Sequence, residues 1–222
     1  MRLILASASP RRADLLRAAG FDFDIVVVDV DEAVRAGEPP ARYVRRLAAE
    51  KSFAALKLAP SSPFDKLRTS VEEGSATSGQ NVAQGFSPAI ILAADTAVVV
   101  DGNILGKPRD DADAAAMLER LSGRRHDVLT GVSIRRNAFE VGRVETTAVS
   151  FAVLTPHEVA WYVESGEGRD KAGGYAIQGL ASRFVTRVEG SYANVVGLPV
   201  AAVVELLTEA GFFQEELRKS RT

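Results

Sequence analysis

The sequence predicts an α/β protein. Three observations carry this: a strand–helix–strand opening, helices with apolar stripes at helical spacing, and apolar runs that alternate with a period of two. The opening strand is Leu-Ile-Leu-Ala at 3–6. Ser9 then stands at a helix N-cap, and Pro10 takes the first helical position, where its missing N–H is not needed. This helix is expected to reach about Ala19, with Gly20 ending it, and residues 21–28 to form a second strand.

A long helix is predicted over 40–58, because Val44, Leu47, Ala48, Lys51, Ala55 and Leu58 share one face; Pro60 closes it. Residues 60–88 differ in kind. They are rich in Ser, Thr, Gly, Gln and Asn, show no apolar period, and are expected to be a flexible surface insertion in a single domain spanning 1–222. Residues 90–100 read as a buried strand, Asp101-Gly102 as a hairpin turn and 103–105 as the return. Asp110 or Asp111 opens a helix with Ala114, Met117, Leu118 and Leu121 on one face, ended by Gly123. Residues 126–135 and 143–154 read as a strand pair joined around Asn137. Thr155-Pro156-His157-Glu158 is a capping-box sequence opening a helix that ends near Gly166. A glycine-rich loop at 166–179, a strand near 183–189 and a loop at 190–197 follow, and Pro199 opens a last helix to about Ala210.

The 222 residues carry a net charge of −2, so no global basic field is available to hold a nucleic acid. There is no cysteine, which excludes disulfides, thiolate metal sites and cysteine nucleophiles. With two histidines, any metal is expected to be Mg²⁺ or Mn²⁺ on oxygen ligands. Residues 1–6 are too short for a signal h-region, and no apolar run approaches the roughly 20 residues of a membrane span. A cytoplasmic protein without membrane contact is expected.

Five places break the structural pattern. In Ser7-Ala8-Ser9-Pro10-Arg11-Arg12, two arginines occupy a helix's first turn, where they oppose its dipole. A phosphate held by Ser7, Arg11 and Arg12 reverses that cost; the alternative is a solvated basic patch. Asp95-Thr96 sits inside an apolar strand, where an ionised carboxylate needs a cation, a metal or dense hydrogen bonding. Lys51 falls on the apolar stripe of its helix and must snorkel or find an anion. In Gly106-Lys107-Pro108, the glycine admits a close backbone and the proline fixes the exit, though the phosphate-loop pattern is absent. The loop at 170–179 carries Tyr175, Ile177 and Gln178; the Gln178 amide suits the edge of a pyrimidine, and the alternative is a turn-rich connection. His157 reads as a solvated first-turn residue, and His126 has no metal-ligand spacing. Asp29, Asp31 and Glu32 form an acidic run, either solvated or able to help hold a cation.

Taken in order, these pieces resemble the Maf family of nucleotide pyrophosphatases. The resemblance rests on Leu5-Ala6-Ser7-Ala8-Ser9-Pro10-Arg11-Arg12, Arg46-Leu47-Ala48 with Lys51, Ala94-Asp95-Thr96, Gly106-Lys107-Pro108-Arg109, Leu121-Ser122-Gly123, and 170–179 with Gly190-Ser191-Tyr192. It covers the chain from Leu3 through the last helix, apart from 60–88, where relatives have a short connection. It implies an elongated α/β fold related to the inosine triphosphate pyrophosphatases, with a mixed sheet and two lobes around a cleft. It also implies a homodimer, a divalent cation, and Asp95 as general base with the acid Glu32 nearby. The cation is expected on Asp95, with Glu32 directly or through water, so that Asp95 either takes the proton of the attacking water or only fixes the metal. Ser7, Arg11, Arg12, Lys51 and Lys107 would line the triphosphate site. Arg12, Thr96 and Gln178 match the branch acting on dTTP and UTP, not the sister branch that prefers 7-methyl-GTP. The rival expectations are a pyrophosphatase for modified purines and a non-catalytic nucleotide-binding regulator of cell division.

Overall fold

The apolar run that the sequence marks most strongly becomes a long strand inside the sheet, with neighbours on both edges. The computed structural model describes residues 1–58 and 89–213, so the expected insertion at 60–88 lies outside the described residues. In chain order the strands are β1 (Arg2–Ala6), β2 (Asp24–Ile25), β3 (Ala89–Val100), β4 (Asn103–Leu105), β5 (Arg125–Arg136), β6 (Phe139–Phe151) and β7 (Val185–Glu189). The helices are α1 (Pro10–Ala18), α2 (Pro40–Leu58), α3 (Asp111–Leu121), α4 (Pro156–Ser165), α5 (Tyr192–Val196) and α6 (Val200–Glu209). The seven strands make one mixed sheet in the order β2-β1-β3-β5-β6-β7, with β4 also on β3. This is the α/β class and mixed sheet that were expected.

β3 organises the molecule. Its first half pairs in parallel with β1, up to Ala6 against Ala93. Its last residues pair antiparallel with β4, from Val98 against Leu105. Between them, Ala94–Ala97 has no strand partner on that edge among the described residues. β5 covers the other edge throughout, from Ile91 to Val99.

Successive residues of β3 face opposite sides of the sheet. On one side, Leu92 and Ala94 pack with Leu16 of α1 and Val203 and Leu206 of α6. Val98 and Val100 pack with Met117, Leu118 and Tyr162 of α3 and α4. Thr96 lies between these two apolar clusters. On the other side, Ala93 belongs to a cluster with Ala55 of α2, and Ala97 to a cluster with Val44 of the same helix. Asp95 lies between those. On both faces the apolar packing is interrupted at Asp95-Thr96, where the sheet edge is also open.

Four local expectations need correction. The strand expected at 21–28 is only Asp24–Ile25, a sheet-edge pairing with β1. Phe21 instead inserts among Phe212 and Phe213, with ring centroids 6.2 and 6.3 Å away, so this segment is tethered by its rings. β6 starts at Phe139, not at 143, because Asn137 takes positive φ (54°) and lets Arg136 pair with Phe139 across a tight turn. Ser9 stands at the N-cap of α1, but its side chain makes no capping bond; its N–H donates to Ser7 Oγ at 3.2 Å. Within 190–197 the chain forms α5, capped by Ser191, whose Oγ accepts from Asn194 N. The capping box of α4 is present as expected, with Thr155 and Glu158 satisfying each other's N–H groups.

Candidate active site

The gap beside Ala94–Ala97 opens into a cleft of about 540 Å³, a size suited to a nucleotide-like ligand. It lies just beyond the carboxyl end of β1, where the partners of β3 change, as ligand sites do in open α/β sheets. Ser7, Arg11, Arg12, Glu32, Lys51, Asp95, Thr96, Lys107 and Gln178 all line it. These nine residues, singled out from sequence, come together from six separate segments of chain, whereas Asp29, Asp31 and the two histidines do not line the cleft.

Asp95 and Lys51 explain each other. Asp95 is 7% exposed and Lys51 9%, and Lys51 Nζ donates to Asp95 Oδ1 at 2.6 Å. The same Nζ donates to Glu32 Oε1 at 2.6 Å, so one ammonium is shared by two carboxylates. Burial pushes the Asp95 carboxyl above its ordinary range against the pull of Lys51 and Arg12. Glu32 behaves oppositely. Burial raises it, but the hydrogen bond and charge of Lys51, helped by Lys107 and Arg12, hold it below the ordinary range. Asp95 Oδ2 accepts no hydrogen bond among the described residues, leaving one oxygen of the buried acid available.

Arg12 sits on the other face of β3. Its Nη2 donates to Thr96 Oγ1 at 3.1 Å, Nη1 to Ser7 Oγ at 3.3 Å and Nε to the Gly197 carbonyl at 2.8 Å. Thr96 is itself fixed: its hydroxyl meets Thr130 Oγ1 at 2.9 Å, and Thr130 donates to the Asn194 carbonyl at 3.1 Å. Asn194 Nδ2 anchors α5 on Val128 O and Thr147 Oγ1, both at 3.0 Å. Burial lowers the proton affinity of the Arg12 guanidinium, with Asp95 opposing, and burial also lowers that of Arg11. Arg11 and Lys107 form no ion pair among the described residues, so the cleft holds two cations that none of its acids contacts directly.

The far wall is the loop at 170–179. Gly173 N donates to the Gly106 carbonyl at 2.9 Å, tying this loop to the Lys107 segment. Gly173 has φ of 71°, and a Cβ there would lie 2.8 Å from the Val98 side chain, so both backbone and space require glycine. The Gln178 side chain is exposed to the cleft and makes no hydrogen bond among the described residues, so its donor and acceptor are free for a ligand.

Sequence reasoning missed Arg46, Tyr43 and Asn194. Arg46 holds Glu38 by Nε and Nη2 at 2.6 and 2.8 Å and the Ala33 carbonyl at 3.0 Å, and Tyr43 Oη donates to the Glu32 carbonyl at 3.0 Å. Together they pin the acidic run so that Glu32 reaches Lys51. Arg46 was part of the motif set, but no role followed from it. His157 is exposed as expected, and His126 is buried against Tyr175.

Among the described residues, no helix is long and apolar enough to cross a membrane. The chain is 47% identical over 215 residues to the dTTP/UTP pyrophosphatase of Anaeromyxobacter dehalogenans (strain 2CP-C), covering 95% of each chain. It is 44% identical over 211 residues to the dTTP/UTP pyrophosphatase of Symbiobacterium thermophilum, again covering 95% of each. Among solved structures it is similar to the Ham1 protein of Staphylococcus aureus, with 16% identity, a TM-score of 0.41, and coverage of 68% of this chain and 72% of that one; this adds nothing to the assignment. The model of the Maf-like proteins matches residues 2–210, and with relatives this similar along nearly the whole length, the chain belongs to the Maf family.

Proposed function

We propose that this chain hydrolyses dTTP and UTP between the α- and β-phosphates, giving the nucleoside monophosphate and pyrophosphate. The observation that carries the reading is a buried acid, Asp95, held by Lys51 in a nucleotide-sized cleft that also contains Arg11, Arg12 and Lys107. The names of the relatives support the reaction and the pyrimidine substrate.

In this reading Arg11, Arg12, Lys51 and Lys107 bind the triphosphate and stabilise charge developing on the leaving pyrophosphate. Asp95 accepts the proton of the attacking water as the new oxygen–phosphorus bond forms and the bridging bond to the β-phosphate breaks. Its raised proton affinity suits that role at neutral pH. Ser7 holds Arg12 and the start of α1 in place. Thr96 and Gln178 read the base, Thr96 through its fixed contact with Arg12 and Gln178 through its free amide.

The donor set suits a hard divalent cation, Mg²⁺ or Mn²⁺. Asp95 and Glu32 already straddle one positive charge, that of Lys51, and Asp95 Oδ2 is open. No group of three or more candidate ligands gathers among the described residues, so the chain would offer two carboxylates and leave the remaining positions to water and phosphate oxygens. Such an ion would supply charge neutralisation and Lewis-acid polarisation at the triphosphate. A homodimer, a cytoplasmic location and a single two-lobed domain over 1–222 belong to the same reading, supported by the family resemblance.

The test is a panel of nucleoside triphosphates with Mg²⁺ or Mn²⁺, with products separated by chromatography. Monophosphate and pyrophosphate from dTTP and UTP, with little from purines, are expected. Asp95→Asn should lose about 10²–10⁴ in kcat. Wild-type turnover in folded Asp95→Asn overturns the assignment of Asp95, and cleavage mainly of modified purines overturns the base reading. Binding without product across several metals would favour a regulatory protein.

A further inference from the structure

We infer that Glu167, which does not line the cleft, is a positioning residue that sets base selection by holding both flanks of Gln178. The inference rests on the reading of Gln178 as a base-contacting residue. Glu167 follows α4, just past the left-handed Gly166 that ends the helix. Its Oε1 accepts from Leu180 N at 2.9 Å and its Oε2 from Ala181 N at 3.4 Å, immediately after the Gln178-Gly179 pair. On the other flank, Tyr162 Oη accepts from Ala176 N at 3.0 Å and donates to Glu167 Oε2 at 2.9 Å. One carboxylate therefore anchors the chain on both sides of Gln178, directly on one side and through a phenol on the other.

The anchor has little slack. Tyr162 is 1% exposed, and its ring packs edge-on against Phe184 at 5.5 Å, so the phenol oxygen is fixed. A Cβ on Gly179 would fall 1.8 Å from Glu167 Oε1, which shows how closely the loop backbone rests on the carboxylate. The turn between the anchors is closed by Gly179 N donating to Ala176 O at 3.1 Å. Gln178 is thus the exposed member of a short turn fixed at each end.

The chemistry demands a carboxylate. The Glu167 carboxylate accepts three hydrogen bonds and donates none, whereas a glutamine amide offers one acceptor oxygen and places an NH₂ donor against a donor. The phosphate-facing groups lie on other elements, and the tie from this loop to the Lys107 segment is made at Gly173, ahead of the Gln178 turn, so disturbing this anchor should alter recognition of the base more than the triphosphate grip.

The experiment compares full-length wild type, Glu167→Gln, Tyr162→Phe, Gln178→Ala and the Glu167→Gln/Gln178→Ala double variant. Steady-state rates are measured on dTTP, UTP and ITP, with inhibition by inorganic tripolyphosphate as a base-free probe. Tyr162→Phe keeps the ring packing and removes only the oxygen. Glu167→Gln and Tyr162→Phe are each expected to lose about tenfold in kcat/KM on dTTP, mainly through KM. The loss on ITP should be smaller, and tripolyphosphate inhibition should stay within about twofold. The double variant should be no worse than Gln178→Ala alone. An unchanged dTTP-to-ITP ratio in Glu167→Gln, equal loss on every nucleotide and on tripolyphosphate, or additive losses in the double variant overturns the inference. If wild type prefers dTTP and UTP while Glu167→Gln keeps that preference, only the role of Glu167 fails. If wild type shows no such preference, the pyrimidine reading fails and this inference falls with it.

Discussion

His126 lies 2% exposed on β5, with Nε2 2.8 Å from Tyr175 Oη and Nδ1 without a hydrogen-bond partner among the described residues. Protonation would bury a second N–H with nothing to receive it, and burial lowers the imidazole from 6.5 to about 4. Above the ordinary value the ring is neutral in both folded and unfolded chains. As the pH falls from 6.5 toward 4, the unfolded chain takes a proton that the fold refuses, so stability is lost in that window. Full passage through it costs about 3 kcal/mol, of which about 2 falls between pH 7 and pH 5. Urea midpoints of wild type should drop between those two pH values, and those of His126→Gln should drop by that much less; parallel slopes would refute the account. Single residues were legible from sequence where they broke an apolar pattern. Lys51 on a helix stripe needed an anion and has two, and Asp95 in an apolar strand needed a cation and has one. Glu167 and Asn194 were not legible, because their main partners are backbone groups far along the chain, which no local pattern records.

At the scale of elements, α2 does two things at once. Its apolar stripe covers β3 and β5, and its other face grips the loop that carries Glu32. The grip centres on Arg46, which bridges Glu38, Glu50 at 3.2 Å and the Ala33 carbonyl. The paired Arg46 guanidinium outweighs desolvation and holds the Glu38 carboxyl down at about 2. A depressed acid contributes stability above its unfolded value of about 4.3, and loses it as the pH falls toward its folded value. Glu38→Gln should therefore melt below wild type at neutral pH, and the gap should close as the pH falls from about 4 to about 2. It should also lower activity at neutral pH, because Glu32 loses its tether. An equal gap at every pH would show that Glu38 acts through packing alone. The long elements were legible because length and period reinforce each other. β2 and α5 were not: the first is a two-residue edge pairing displaced by phenylalanine packing, and the second is a five-residue helix made by one serine cap inside a glycine-flanked loop.

Over the whole molecule, the cleft exists because one long strand changes partners midway while a single helix spans its other face. β1 and β4 take opposite ends of one edge of β3, and the stretch between them, with Asp95 and Thr96, is left for a ligand. The sequence announced the strand and the buried acid, but which strands flank it is a matter of long-range pairing that periodicity does not encode. What keeps Lys51 opposite Asp95 is how closely α2 lies on the sheet, and that closeness depends on Gly131 of β5, which pairs with Asp95 itself. A Cβ on Gly131 would meet the Val44 carbonyl oxygen at 2.3 Å and Arg45 N at 2.8 Å, backbone atoms with no rotamer by which to yield. Gly131→Ala must push α2 outward about two turns before Lys51, at a cost of about 1–3 kcal/mol by the usual scale of overpacking. The same shift lengthens the Lys51–Asp95 contact, so kcat should fall with stability even though no cleft residue has changed. Chemical denaturation and steady-state kinetics on one preparation decide the matter. A variant that loses stability yet keeps full kcat would mean that the Lys51–Asp95 geometry is set locally, and not by the seating of the helix on the sheet.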